Sequence, residues 1–115
     1  KMADYTLSRK AIQDLTEIWQ YTCITWSEIQ ADKYYELLIQ AFTPLAIKPS
    51  LGKSYEEVLS GLMGYRVGQH IIFYRISIAK KLQIIRILHV RMDLNSKMKR
   101  WHPNLFYLPD QIHLP

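Results

Sequence analysis

The chain has 115 residues, 49% of them apolar, which suffices for one core and one domain, and it carries a formal charge of +5. No apolar run approaches the roughly 20 residues that span a bilayer, and the amino terminus lacks the charged-then-apolar layout of a secretory signal. The single Cys23 can form no internal disulfide and matches no zinc spacing with the four histidines, so the composition predicts a cytoplasmic protein without cofactor or metal.

Lys1 ahead of Met2 reads as the remnant of an expression tag and is left out of the functional reading. A short strand is expected at Asp4 to Leu7, and Ser8 then offers a hydroxyl to the unpaired amides of a helix start. Ala11, Ile12, Leu15, Ile18, Trp19, Thr22, Cys23 and Trp26 follow the i, i+3, i+4 rule, with Lys10, Gln13, Asp14, Glu17 and Gln20 on the wet side. The pattern predicts an amphipathic helix of about five turns.

Ser27 to Gln30 forms a capping box and starts a second helix, whose apolar stripe is Ala31, Tyr34, Tyr35, Leu38, Ala41, Phe42 and Leu45. Pro44 lacks an amide to donate, so a kink or break is expected near Thr43. The two helices make an antiparallel hairpin, finished by Pro49 and Gly52. Residues 50 to 64 read as a loop with one short turn or edge strand.

Tyr65 to Val67, a Gly68-Gln69 turn, His70 to Ile78, a Lys80-Lys81 loop and Leu82 to Val90 read as three sequential strands, antiparallel because their loops are short. The fold class is α+β: an N-terminal strand, a helical hairpin, then a three-strand antiparallel meander forming one sheet, with a C-terminal extended tail. The tail, Trp101 to Pro109 above all, has aromatics broken by prolines, and its apolar content calls for docking on its own domain, another protomer or a partner.

Charge is unevenly divided. Residues 1 to 60 hold six Lys or Arg against eight Asp or Glu, whereas residues 61 to 115 hold nine against two. An electropositive carboxy-terminal half attracts an acidic protein, nucleic acid, or a protein that handles nucleic acid.

An even Lys80-Lys81 loop would pair Ala79 with Leu82 and place Arg75 opposite Arg86. Like charges in a cross-strand pair cost on the order of 0.2–1 kcal/mol, so an anion is expected there: Glu56 or Glu57, a partner's carboxylate, or a phosphate. An odd loop would separate the two arginines. The last strand sets Leu82, Ile84 and Leu88 on one face and Ile85 and Ile87 on the other, and the hairpin can cover only one face. The second must be covered by the chain's residues 94 to 108 or by another protein.

Tyr74, Arg75, Arg86, His89 and Arg91 are residue types that an RNA-cleaving site would use. The two-residue period of a strand points Tyr74 and Arg75 to opposite faces, and likewise Arg86 and His89, so the set does not converge and no catalytic residue is assigned. There is no Ser-His-Asp or Cys-His arrangement and no phosphate-binding glycine loop.

Tyr5-Thr-Leu-Ser8 with Ala11 and Asp14-Leu15, Tyr21, Trp26-Ser27, Gln30-Ala31, Tyr34-Tyr35, Leu45-Ala46 with Pro49, Gly61-Leu62, His70 to Arg75 and Arg86 to Asp93 together resemble the ParE branch of the RelE/ParE toxin superfamily. The resemblance covers about residues 4 to 94. It implies a toxin domain over 1–98 and a C-terminal extension over 99–115 that runs past the usual family end. It further implies a type II toxin-antitoxin system of the kind that stabilises plasmids, with growth inhibited by poisoning DNA gyrase through binding. The alternative is a RelE-like ribosome-dependent mRNA endonuclease. Ile71 and Phe73 stand on a strand face where those nucleases often place a cation, which favours gyrase.

The partner so implied is an acidic, ParD-like antitoxin that lays an amphipathic helix on the hairpin and an extended segment along the sheet. Trp19, Tyr35, Leu38, Phe42, Arg75, Ile84 and Arg86 are its expected contacts. Arg91, Met92, Lys97, Lys99 and Arg100 are the expected target contacts. No membrane association and no sequence-specific nucleic-acid binding by the toxin alone is expected, and homo- or hetero-oligomers are left open.

Overall fold

The structure, a computed structural model, describes residues 4–92. Strand β1 (Tyr5–Leu7) leads into helix α1 (Arg9–Thr25), then α2 (Glu28–Gln40) and a short α3 (Phe42–Ile47). A 3-10 turn at Pro49–Leu51 follows, and then strands β2 (Lys53–Ser54), β3 (Met63–Val67), β4 (His70–Ile76) and β5 (Leu82–His89). The five strands form one sheet in the order β1-β5-β4-β3-β2, antiparallel except for β1, which lies parallel to β5.

Both helix starts are built by serine. Ser8 is extended at φ −69°, ψ 161°, and its Oγ accepts from the amide of Ala11; Ser27 does the same for Gln30. The hairpin breaks at Ala41, between α2 and α3, two residues before Thr43. A continuous helix would drive the Pro44 ring into the carbonyl of Gln40 and leave that carbonyl unbonded. Restarting the helix at Phe42 places proline in its first turn, where an amide has no partner to lose.

The hairpin packs on one face of the sheet. Ala11, Leu15, Leu38, Phe42 and Leu45 bury against Ile72, Tyr74, Leu82, Ile84 and Ile87. On the other face, Phe73, Ile85 and Leu88 pack with Leu62, and Tyr55, Val58, Leu59 and Ile71 close over them. The second apolar face is therefore covered by residues 55–62 of the chain itself. Residues 94 to 108 lie outside the described residues.

This cover is held by its own polar contacts. Tyr55 donates its amide to the Leu62 carbonyl at 2.8 Å, Leu62 to Leu59 at 3.0 Å, and the Glu56 carboxylate accepts from the Gly61 amide at 2.9 Å. Glu56 thus closes its own loop.

Strand register departs from the even-loop expectation. Ile76 pairs with Leu82, so the connection runs over Ser77 to Lys81, an odd number of residues, and Lys80 takes a positive φ of 63°. The phase then shifts by one residue at Ile85, where β5 carries a bulge opposite the Phe73-Tyr74 step. Arg75 stands opposite Gln83 and Arg86 opposite Phe73, so the two arginines do not face each other. The same shift turns Ile87 to the hairpin and Leu88 to the far face, exchanging the places that unbroken alternation gives them.

Candidate functional site

Strand β1 pairs with β5 only as far as Ile84, which leaves the next residues of β5 as an open edge beside α1. Ser8 covers the first part: its amide donates to Ile84 O at 3.0 Å and its hydroxyl to Ile85 O at 2.7 Å. Asp14, one and a half turns later, covers the rest. Its Oδ2 accepts from Arg86 Nε at 2.8 Å and from the Ile87 amide at 2.9 Å, while Oδ1 accepts from Arg86 Nη2 at 2.9 Å. The fork is bidentate and removed from water, with side-chain exposures of 8% for Asp14 and 12% for Arg86. Asp14 is therefore an interior residue, contrary to its place on the wet side of the helical pattern, and it supplies the anion that Arg86 requires.

Tyr74 is also structural. Its ring is buried in the hairpin-side core, and its hydroxyl donates to the Pro49 carbonyl and accepts from the Gly52 amide at 3.0 Å. Burial raises the pKa of this phenol above its ordinary value. Tyr74→Phe strips partners from both backbone groups and is expected to cost about 1–3 kcal/mol of folding stability in urea denaturation.

A second group gathers where α2 meets the β3–β4 turn. The Tyr34 hydroxyl lies 2.6 Å from His70 Nδ1 and 3.2 Å from Val67 O, and it accepts from the Gln69 amide at 3.0 Å. The hydroxyl thus ties the His70 ring to the Val67–Gln69 turn. His89 pairs across the strands with His70, ring centroids 5.3 Å apart, and its Nδ1 accepts from the Arg91 amide at 3.1 Å. Burial, and then the neighbouring His89, lower the pKa of His70 from 6.5 to about 4.

The native chain therefore declines a proton that the unfolded chain takes up between about pH 6.5 and 4. Stability is fully present above this window and falls as the pH drops through it, by on the order of 2 kcal/mol. Urea denaturation across the window should show that slope, and His70→Gln should flatten it.

These side chains border a cleft of ≈ 520 Å³ between the hairpin and the β4–β5 ends, walled by Tyr21, Trp26 and Tyr34, with His70 and His89 in its lining. Gln30 and Gln69 add carboxamides. A smaller depression of ≈ 270 Å³ shares the two histidines and Tyr21 and continues past Glu17 to Met92. At the hairpin tip, Ile24 is 87% exposed, Trp26 74%, Ile29 70% and Tyr21 69%, a cluster of apolar side chains on the surface.

The nominated antitoxin contacts divide by burial. Leu38, Phe42 and Ile84 are completely or almost completely buried in the hairpin-side core and are closed to a partner; Arg86 is engaged by Asp14. The helical stripe that carries Leu38 and Phe42 faces the sheet and not the outside, and Ile84 lies in the sheet beneath it. Trp19 and Tyr35 are half-buried and line a shared depression of ≈ 410 Å³ on the hairpin, where Trp19 Nε1 donates to Asp32 Oδ1 at 2.9 Å. Arg75 is half-buried on β4.

Of the target contacts, Arg91 and Met92 are exposed beyond the end of β5, while Lys97, Lys99 and Arg100 lie outside the described residues. The Tyr34–His70 pair and the hairpin tip were not singled out as sites from sequence. Ile24 and Ile29 carried a signal, since both fall off the apolar stripes of their helices. Among the described residues, no cluster of three or more His, Cys, Asp or Glu is arranged for a metal, and no helix is long and apolar enough to cross a membrane.

A family model described as the ParE toxin of the type II toxin-antitoxin system parDE matches residues 5–94. Toxin ParE1 of Mycobacterium tuberculosis is 33% identical over 94 residues, covering 82% of this chain and 96% of the relative. Toxin ParE1 of Caulobacter vibrioides is 33% identical over 97 residues, with 84% and 99% covered. Among solved structures, one described as the chromosomal ParDE system from P. aeruginosa superposes with a TM-score of 0.67 at 22% identity, over 78% of this chain and 98% of that one. The RelBE2 toxin-antitoxin complex from Mycobacterium tuberculosis gives 0.59 at 21%, over 77% and 99%. The fold is shared with both, and the length and identity of the sequence matches establish that this chain belongs to the ParE toxin family of type II toxin-antitoxin systems.

Proposed function

We propose that this ParE-family toxin acts in the cytoplasm by binding and poisoning DNA gyrase, and that a cognate acidic antitoxin holds it inactive. The observation that carries the gyrase reading is the far face of the sheet. Where superfamily nucleases often set a cation, Ile71 and Phe73 stand packed with Ile85 and Leu88 beneath Tyr55, Val58, Leu59 and Leu62. This cluster itself offers no group to hold a phosphate or move a proton; the cation on the same face of β4 is Arg75, half-buried beyond Phe73.

Tyr74, Arg86 and His89, the residue types considered for hydrolysis, do not converge on one site. Tyr74 bonds the turn at Pro49, Arg86 bonds Asp14, and His89 faces His70. The Trp19–Tyr35 depression suits the apolar face of an antitoxin helix, and half-buried Arg75 suits its carboxylates. Arg91 and Met92, with the basic residues that follow, supply the contact to the target.

Expression of the chain alone should stop growth with accumulation of gyrase-linked DNA breaks, and co-expression of its cognate antitoxin should restore growth. Growth arrest accompanied by cut messenger RNA and intact DNA would replace gyrase by the ribosome. No arrest at all would leave a module that keeps only antitoxin binding.

A further inference from the structure

The cleft around His70 and His89 takes no part in the mechanism above. Its ≈ 520 Å³ falls within the range of small-ligand sites, about 300–1,000 Å³. Its lining combines aromatic rings, two carboxamides and two imidazoles, and includes no carboxylate, lysine or arginine. Trp26 and Tyr21 offer ring faces, whereas Gln30 and Gln69 each present a donor and an acceptor side by side, the pattern that matches the edge of a nucleobase. With its Nδ1 accepting from the Arg91 amide, His89 is left to donate from Nε2, and His70 adds a second imidazole.

Two arginines stand close in the chain to residues of this neutral lining. Arg66 is exposed and fixed by its Nε to the Gly68 carbonyl at 2.9 Å, next to Gln69. Arg91 is exposed and follows His89, whose Nδ1 its amide contacts. The acidic residues nearby, Asp14 and Glu17, line the adjoining depression, and Asp14 is already engaged by Arg86. A ligand with a flat uncharged ring and a separate anionic group fits this arrangement. An aromatic side chain of a protein would use the walls but would leave the paired carboxamides and the flanking cations without a role.

We infer that the cleft binds a nucleotide, free or unstacked from a single strand, with its base against Trp26 and Tyr21, its edge on Gln30 and Gln69, and its phosphate on Arg66 or Arg91. This site is separate from the sealed sheet face, requires no hydrolysis, and is compatible with a toxin that reads no duplex sequence.

The test is titration of the full chain, without gyrase, by adenosine monophosphate and by a short oligodeoxyadenylate, followed by NMR of the Trp26 indole and the His70 and His89 rings. Saturable shifts at these groups are expected with at least one probe. Trp26→Ala, at a surface position that can be changed without loss of the core, should weaken binding by about tenfold or more. Arg66→Ala combined with Arg91→Ala should weaken it and reduce its salt dependence.

Tighter binding of the oligonucleotide assigns the site to a strand, and equal or tighter binding of the monophosphate assigns it to a free nucleotide. Absence of saturable shifts with both probes would overturn the inference. So would binding of N-acetyltryptophanamide as tight as that of the monophosphate and insensitive to the arginine changes, since the cleft would then be a seat for a protein side chain. Gyrase is absent from this experiment, so its failure leaves the proposed function standing.

Discussion

Asp14→Ala is expected to remove about 3–5 kcal/mol of folding stability, a large part of what holds a domain of this size together. The carboxylate receives three hydrogen bonds, two from Arg86 and one from the Ile87 amide. Its removal takes the bidentate partner from a guanidinium with 12% side-chain exposure and opens a sheet edge that β1 is too short to cover. Most of the loss comes from the desolvated groups that lose this carboxylate and not from the attraction itself. Asp14→Leu combined with Arg86→Met should therefore recover much of the stability that either single change loses. Urea denaturation of the three variants checks this, and losses that simply add would deny the coupling.

Leu62→Ala is expected to cost about 2–5 kcal/mol, although the residue lies in a connecting segment between β2 and β3. Leu62 is completely buried against Phe73, Ile85 and Leu88 and is the interior anchor of the 55–62 cover. Its loss would leave a cavity and loosen the seal on the far sheet face, and binding of a hydrophobic dye should rise with the fall in stability. A change below about 1 kcal/mol, the range of surface substitutions, would mean that this face is covered by something else. In that case the far face would be open to a phosphate.

Local signals carried much of the architecture. Ser8 and Ser27 mark both helix starts because a cap is a contact between residues three apart. The stripe from Ala11 to Leu15 and that from Ala31 to Leu45 identify buried faces for the same reason. The register of β4 with β5 was not legible, since it depends on Ser77 to Lys81 closing through the Ser77 amide to the Lys81 carbonyl and the Lys80 amide to the Ser77 carbonyl. It depends further on a bulge that no two-residue period announces.

Asp14 was misplaced because its partners are more than seventy positions away, and a wet-side place on the helical pattern becomes interior only when β5 runs beside the helix. The cover over the far face was readable in principle. Tyr55, Val58, Leu59 and Leu62 stand at i, i+3, i+4 and i+7, an apolar pattern masked by the glycine that follows and by the expectation of a loop. At the site, the burial of Leu38 and Phe42 shows the limit of a stripe, which says that a residue is covered but not by what.

Poisoning of gyrase by binding, without hydrolysis of RNA, is what we propose for this toxin. The direct measurement mixes the purified chain with gyrase, ATP and closed circular DNA, and in parallel with translating ribosomes and a messenger RNA. Cleaved DNA covalently attached to gyrase, with the messenger intact, is the predicted result. Cut messenger on the ribosome, with gyrase turning over normally, would contradict it.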